Sequence, residues 1–163
     1  MPEMGEYVVG AYLKVIEKCD FVDYGVRSPD GGIKGLGELD VVGLRLADQT
    51  AFICEVTTHL GGLEYGSGYA DTIAKIQQKF QRQKAYATEQ LASFKKHQFM
   101  LWSPSVPEGF LTKGLEAIQG LDLVLNTAYT SAIDELRAEA RRTIRDAGNP
   151  FFRSLQILEH LRH

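Results

Sequence analysis

The stretch GELDVVGLRLADQTAFICEVTT, residues 37–58, constrains this chain most. Two runs rich in Val, Leu, Ile and Phe flank Ala47-Asp48-Gln49, which reads as a hairpin connection. The spacing predicts paired, buried strands over about 38–46 and 50–58. Each strand nevertheless carries an acid, Asp40 and Glu55. Side chains alternate along a strand, so Asp40 shares a face with Val42, Leu44 and Leu46, and Glu55 with Ile53 and Thr57. A carboxylate there carries a heavy desolvation penalty unless it is paired or binds a cation. Arg45 falls on the opposite face from Asp40, so the strands contain no obvious partner. Two readings remain: both acids lie at solvated strand ends or pair with distant bases, or they hold a divalent cation, since Mg²⁺ prefers hard oxygen ligands.

The other elements follow from periodicity and turn chemistry. Residues 3–19 read as a helix with an apolar arc of Met4, Val8, Ala11, Tyr12, Val15, Ile16 and Cys19. A short strand is predicted at Phe21 to Tyr24, then a loop over SPDGGIKGLG. HLGGLEYGSGYA is a second glycine-rich loop, after which Asp71 or Thr72 can cap a helix reaching about Lys95. Strand, short helix and strand are predicted at 97–103, 109–119 and LDLVLNTAY. Two last helices, about 130–147 and 150–162, are divided by Gly148-Asn149-Pro150. This order implies an α/β fold with a sheet covered by helices on both faces.

Length and composition fit one soluble domain over residues 1–163, with a core at about 3–127 and a helical extension at about 130–163. No apolar run reaches the ~20 residues of a membrane span, and the start lacks the pattern of a secretory signal, so the expected compartment is the cytosol. Cys19 and Cys54 sit inside apolar patterns and read as small buried hydrophobes. Charge is uneven: residues 1–74 hold twelve acids against five bases, and residues 75–163 nine acids against thirteen bases. That asymmetry suits a cation site beside a surface that tolerates a polyanion, although solvated helix faces give a similar count.

Glu6 in the first helix, Gly37-Glu38-Leu39-Asp40-Val41-Val42 and Ile53-Cys54-Glu55-Val56-Thr57 together resemble the restriction-endonuclease-like superfamily of PD-(D/E)XK nucleases. The predicted order from residue 3 to about 127 is similar to that superfamily's α-β-β-β-α-β core. The resemblance implies a mixed central sheet flanked by helices and metal-dependent hydrolysis of phosphodiester bonds, with DNA as partner and Mg²⁺ or Mn²⁺ as cofactor. Asp40 and Glu55 would be metal ligands, the Val56 carbonyl a third, and Glu6 would act through a water or a second ion. On the helical wheel Glu6 lies at the rim of the apolar arc, where a solvated acid is equally at home.

Thr57 stands where the motif has lysine, and threonine cannot stabilise charge developing on a phosphate. In this superfamily the lysine can come from the following helix. Here that helix offers Lys75, Lys79 and Lys84. Its apolar stripe is Ile73, Ile76, Phe80, Ala87, Leu91 and Phe94; Lys79 lies just outside one edge, Lys75 nearer solvent, Lys84 at the opposite edge. A rim lysine can lay its stem on the sheet and swing its ammonium inward, so Lys79 is the first candidate and Lys75 the second. The contrasting function is a catalytically inactive module that keeps the fold and binds nucleic acid or a protein. GSGYAD resembles a phosphate-cradling turn without a P-loop lysine. Arg137, Arg141 and Arg145 follow i, i+4 spacing, toward phosphates or toward Asp134, Glu135, Glu139 and Asp146. The apolar tail NPFFRSLQILEHLR is expected to pack on the domain or on a second copy, as in a homodimer.

Overall fold

A computed structural model describes residues 1–27 and 37–161; the predicted loop over SPDGGIKGLG lies, apart from Gly37, outside the described residues. Ten elements follow one another: α1 (Met4–Val15), β1 (Phe21–Val26), β2 (Leu39–Arg45), β3 (Thr50–Val56), α2 (Tyr69–Gln90), β4 (Lys96–Ser103), α3 (Phe110–Glu116), β5 (Leu121–Leu125), α4 (Thr127–Arg142) and α5 (Pro150–His160). The strands form one sheet in chain order. β1, β2 and β3 are antiparallel neighbours, β2 and β3 joined by a tight hairpin, whereas β4 and β5 add in parallel after the crossovers through α2 and α3. The fold is therefore α/β with a mixed sheet and additional C-terminal helices, as the sequence implied.

β3 occupies the centre of the sheet, and its residues from Thr50 to Glu55 are all buried. One face of the β2–β4 ribbon, through Val41, Phe52, Cys54 and Trp102, packs on Val9 and Leu13 of α1 and Ala132 of α4. The other face, through Val42, Ile53 and Leu101, packs on Ile76, Phe80 and Ala87 of α2 and on α3. Fully burying one such aliphatic or aromatic side chain contributes roughly 1.5–3 kcal/mol, which is what holds the strands between two helical layers. No helix among the described residues is long and apolar enough to cross a membrane.

Several predicted boundaries move, each for a local reason. α1 stops at Val15 and not at Cys19: Lys18 turns left-handed (φ 58°), and Cys19 N–H donates to the Leu13 carbonyl at 2.9 Å. α2 begins at Tyr69 with Gly68 as its N-cap, so neither Asp71 nor Thr72 caps it. Both side chains instead reach back to the preceding loop. Asp71 Oδ2 accepts the Ser67 N–H and O–H, and Thr72 Oγ1 accepts the Tyr65 N–H at 2.8 Å. The GSGYAD turn has thus already captured a carboxylate of its own. β5 ends at Leu125, not within the later NTAY, because Asn126 (φ 52°) leaves the strand and its carboxamide bonds both the N–H and the C=O of Val106. Gly148-Asn149-Pro150 does separate the last helices. Asn149 accepts the Phe152 N–H and donates to the Tyr7 carbonyl, tying α5 to α1. Phe152 and Leu155 of the apolar tail pack with Ala11, Leu136 and Ala140, leaving Ile157, Leu158 and Leu161 exposed.

Candidate active site

Val41 faces Cys54 across the β2–β3 pair, so the next pair outward is Asp40 and Glu55. Alternation puts both on the side of Val42 and Ile53, which pack against Ala87 and Leu91 at α2. The two carboxyls reach hydrogen-bonding distance of each other. Three contacts make this arrangement tolerable. Val56 N–H donates to Asp40 Oδ2 at 2.8 Å, Lys79 Nζ donates to Glu55 Oε1, and the raised pKa of both carboxyls favours a proton held between them. Glu55 is 6% exposed, Asp40 half-buried. Burial first, and the neighbouring Asp40 charge second, push the Glu55 carboxyl well above the usual carboxylate range; Lys79 only partly offsets this. Burial also raises Asp40, against the opposing Val56 N–H bond and Lys79 charge.

Lys79 reaches Glu55 from the rim of the α2 stripe, its side chain one-quarter exposed. Burial works against its ammonium, but the charge and hydrogen bond of Glu55 outweigh that, and its pKa lies above the ordinary lysine value. Lys75, one turn earlier, is exposed and does not line the site. Lys84 lies over the Phe80 ring, 4.5 Å from its centroid. Thr57 is buried, and its hydroxyl donates to Ser103 Oγ at 2.7 Å; it faces a packed neighbour and not the site.

Asp40, Glu55, Val56 and Lys79 line a cavity of about 420 Å³, together with Glu3 and Glu6 at the start of α1, Glu38 before β2, and Tyr24 and Gly25 of β1. Its walls carry five carboxyl side chains and one ammonium side chain, with Met1 at the edge. Glu6 joins the rim but spends one oxygen on the helix, accepting the Glu3 N–H at 2.9 Å. Burial, and then the charges of Asp40, Glu3 and Glu38, raise its pKa despite that bond. Among the described residues no three His, Cys, Asp or Glu side chains form a ready-made metal cage. The donor set of two carboxylates and one strand carbonyl still fits Mg²⁺ or Mn²⁺, because such ions take one or two carboxylates and fill their remaining positions with water and substrate oxygen. The surplus negative charge of the walls fits the same ions.

Two neighbours of the site were not singled out from the sequence. Glu38 pairs with Arg27 at 2.8 Å, and the alternation that places Asp40 also places Glu38 two residues earlier on the same face. Tyr65, whose ring lies 5.5 Å from Lys79 Nζ, comes from a glycine-rich loop with no periodicity to reveal it. The arginine stripe is spent elsewhere. Arg137 and Arg141 grip Glu159 of α5 at 2.9 and 2.5 Å, Arg137 also meets Asp134 at 3.4 Å, Arg142 pairs with Glu139, and Arg145 lies beyond the end of α4. No family model, curated protein or solved structure matches the chain.

Proposed function

We propose that this chain is a nuclease of the PD-(D/E)XK kind, hydrolysing phosphodiester bonds, first of all in DNA, with Mg²⁺ or Mn²⁺ as its cofactor and the cytoplasm as its compartment. The observation that carries this reading is the arrival of Lys79 from α2 at Glu55, beside Asp40, in a cavity walled by surplus carboxylates. It gives the site an ammonium at the place from which Thr57 cannot supply one. Asp40, Glu55 and the Val56 carbonyl would hold the cation, which when bound draws charge from the scissile phosphate and acidifies a water.

The chain's own residues have separable tasks. The Val56 N–H fixes the plane of the Asp40 carboxylate. Lys79 carries the positive charge that offsets the negative charge growing on the phosphate in the transition state. Glu6, on the opposite helix and with a raised pKa, orients water at the cavity rim.

The test is incubation of the purified chain with supercoiled plasmid, single- and double-stranded DNA, and RNA, each with Mg²⁺, Mn²⁺ or a chelator. Metal-dependent cleavage of DNA is expected. Cleavage that persists in chelator, or none on any substrate, ends the reading. Tight binding of the panel without cleavage would move the chain to the other class, a module that keeps the fold and holds nucleic acid.

A further inference from the structure

The segment between β3 and α2 folds back over the first turns of α2 and is pinned there. Leu63 is fully buried among Ile76, Phe80 and Leu101, and its N–H donates to the Ser105 carbonyl at 2.9 Å. Two residues on, Thr72 Oγ1 accepts the Tyr65 N–H at 2.8 Å, and its own proton lies between the Gly68 carbonyl at 3.0 Å and the Tyr65 carbonyl at 3.2 Å. Thr72 is wholly buried, so this anchor is shielded from water. His59 meets the Tyr65 ring edge-on at 5.7 Å. The ring therefore has an anchored backbone beneath it and a second ring at its edge.

The ring presents its face to Lys79, with Nζ 5.5 Å from the centroid, within the range where an aromatic quadrupole attracts an ammonium. The same Nζ also donates to Glu55 Oε1. A lysine on a four-carbon stem otherwise samples many rotamers, and Glu55 alone restrains only one direction of that motion. We propose that Tyr65 is a positioning residue of this site, its ring face holding the Lys79 ammonium against Glu55. The proposal rests on the nuclease reading for what Lys79 does, and on geometry alone for how Lys79 is held. A mere filler of this gap would need only apolar bulk; a positioning residue needs a π face. Phenylalanine therefore serves as well as tyrosine, while leucine does not.

The experiment uses the metal-free chain without nucleic acid. A limiting pulse of acetic anhydride is followed by mass-spectrometric reading of Lys79, with Lys75 on the same helix as internal reference. Tyr65→Leu and Tyr65→Met, the latter a flexible filler of the same gap, should raise Lys79 acylation about five- to tenfold, and Tyr65→Phe should leave it within about twofold of the parent. Unchanged Lys79 acylation in a leucine or methionine variant with a native circular dichroism spectrum would overturn the proposal. So would a phenylalanine variant that behaves like leucine. Should neither truncation fold, the parent chain decides: Lys79 acylated as fast as exposed Lys75 means that nothing holds it. None of these readings depends on cleavage, so an inactive chain sinks the nuclease reading and leaves the role of Tyr65 to stand or fall by itself.

Discussion

Glu55 on β3 and Glu159 on α5 are equally hidden glutamates, 6% and 7% exposed, and they do opposite things. Glu159 meets two guanidiniums from α4, Arg137 Nε at 2.9 Å and Arg141 Nε at 2.5 Å, so one negative charge is answered by two permanent positive ones. That cluster fastens the last helix to the domain. Glu55 has one ammonium, shares its surroundings with a second carboxyl, and borders a cavity lined by five acidic side chains and one basic one. Its charge is under-compensated, which is the condition for recruiting an external cation. Burial of an acid does not distinguish a rivet from a reactive group. The local balance of charge does, together with the access of water to it.

The largest expected effect separates the two glutamates directly. Asp40→Asn or Glu55→Gln should lower metal-dependent DNA cleavage at least ~10³-fold while leaving the fold intact. Glu159→Gln should leave the cleavage rate within about twofold yet reduce Tm by about 5 °C, because it strips two arginines of a buried partner. Plasmid nicking and thermal melts on the same three variants check both halves. Loss of cleavage in a natively folded Glu159 variant would erase the contrast. Next in size is Lys79→Ala, expected to cost about 10² in kcat, against at most about twofold for Lys75→Ala. The reverse order would move the site's cation to the earlier turn of α2.

A smaller effect sharpens the difference through pH. The Glu55 carboxyl is raised from 4.5 to about 7 in the folded chain, by burial first and Asp40 second. As pH climbs through 4.5, the unfolded chain gives up this proton while the native one keeps it. The unfolded state then binds fewer protons, and stability falls with rising pH until the native group also ionises near 7. The metal-free protein should lose on the order of 2 kcal/mol across that window. Glu55→Gln should remove most of the slope, and Glu159→Gln should retain it, since the Glu55 carboxyl is still present. Denaturant melts at intervals from pH 4.5 to 7.5, in chelator, measure it. A slope that survives in Glu55→Gln would place the titration elsewhere.

The two glutamates also mark how far the sequence could be read. Asp40 and Glu55 were legible because strand alternation is rigid: once the hairpin over Ala47-Asp48-Gln49 is accepted, an acid at each of these positions has only one face to occupy. The helical wheel ordered the lysines of α2 for the same reason, as a rim position is a matter of angle. Glu159 was not legible. Its partners lie eighteen and twenty-two residues away on another helix, and nothing in the spacing of Arg137 and Arg141 says which acid they will meet. The nearer acids on α4 were legible and are used, Asp134 by Arg137 at 3.4 Å and Glu139 by Arg142, but docking of α5 through Phe152 and Leu155 brought in the partner that Arg137 and Arg141 share. Tyr65 was hidden likewise. A loop has no period, so its aromatic ring declares its neighbour only after Thr72 and Leu63 have pinned the chain. The helix ends that shifted, at Val15 and Tyr69, depended on backbone closure at Lys18 and on Asp71 turning back to Ser67, both local competitions that propensity does not rank.

The smallest expected effect concerns Thr57, which the motif comparison put in the place of a catalytic lysine. Its hydroxyl is committed to Ser103 Oγ at 2.7 Å in a buried setting, so it behaves as Glu159 does, a polar group spent on a neighbour. Thr57→Val keeps the shape and deletes the bond. It should cost about 1 kcal/mol, a fall in Tm of about 3 °C, because the Ser103 hydroxyl keeps only a weak contact at 3.5 Å to the Ser105 carbonyl. Cleavage should stay within about twofold, since the cation of the site arrives from α2 and not from β3. A large loss of kcat in Thr57→Val, at unchanged Tm, would mean that the strand residue acts in the chemistry after all. Lys79 would then be a second rivet, closing Glu55 as the arginines close Glu159.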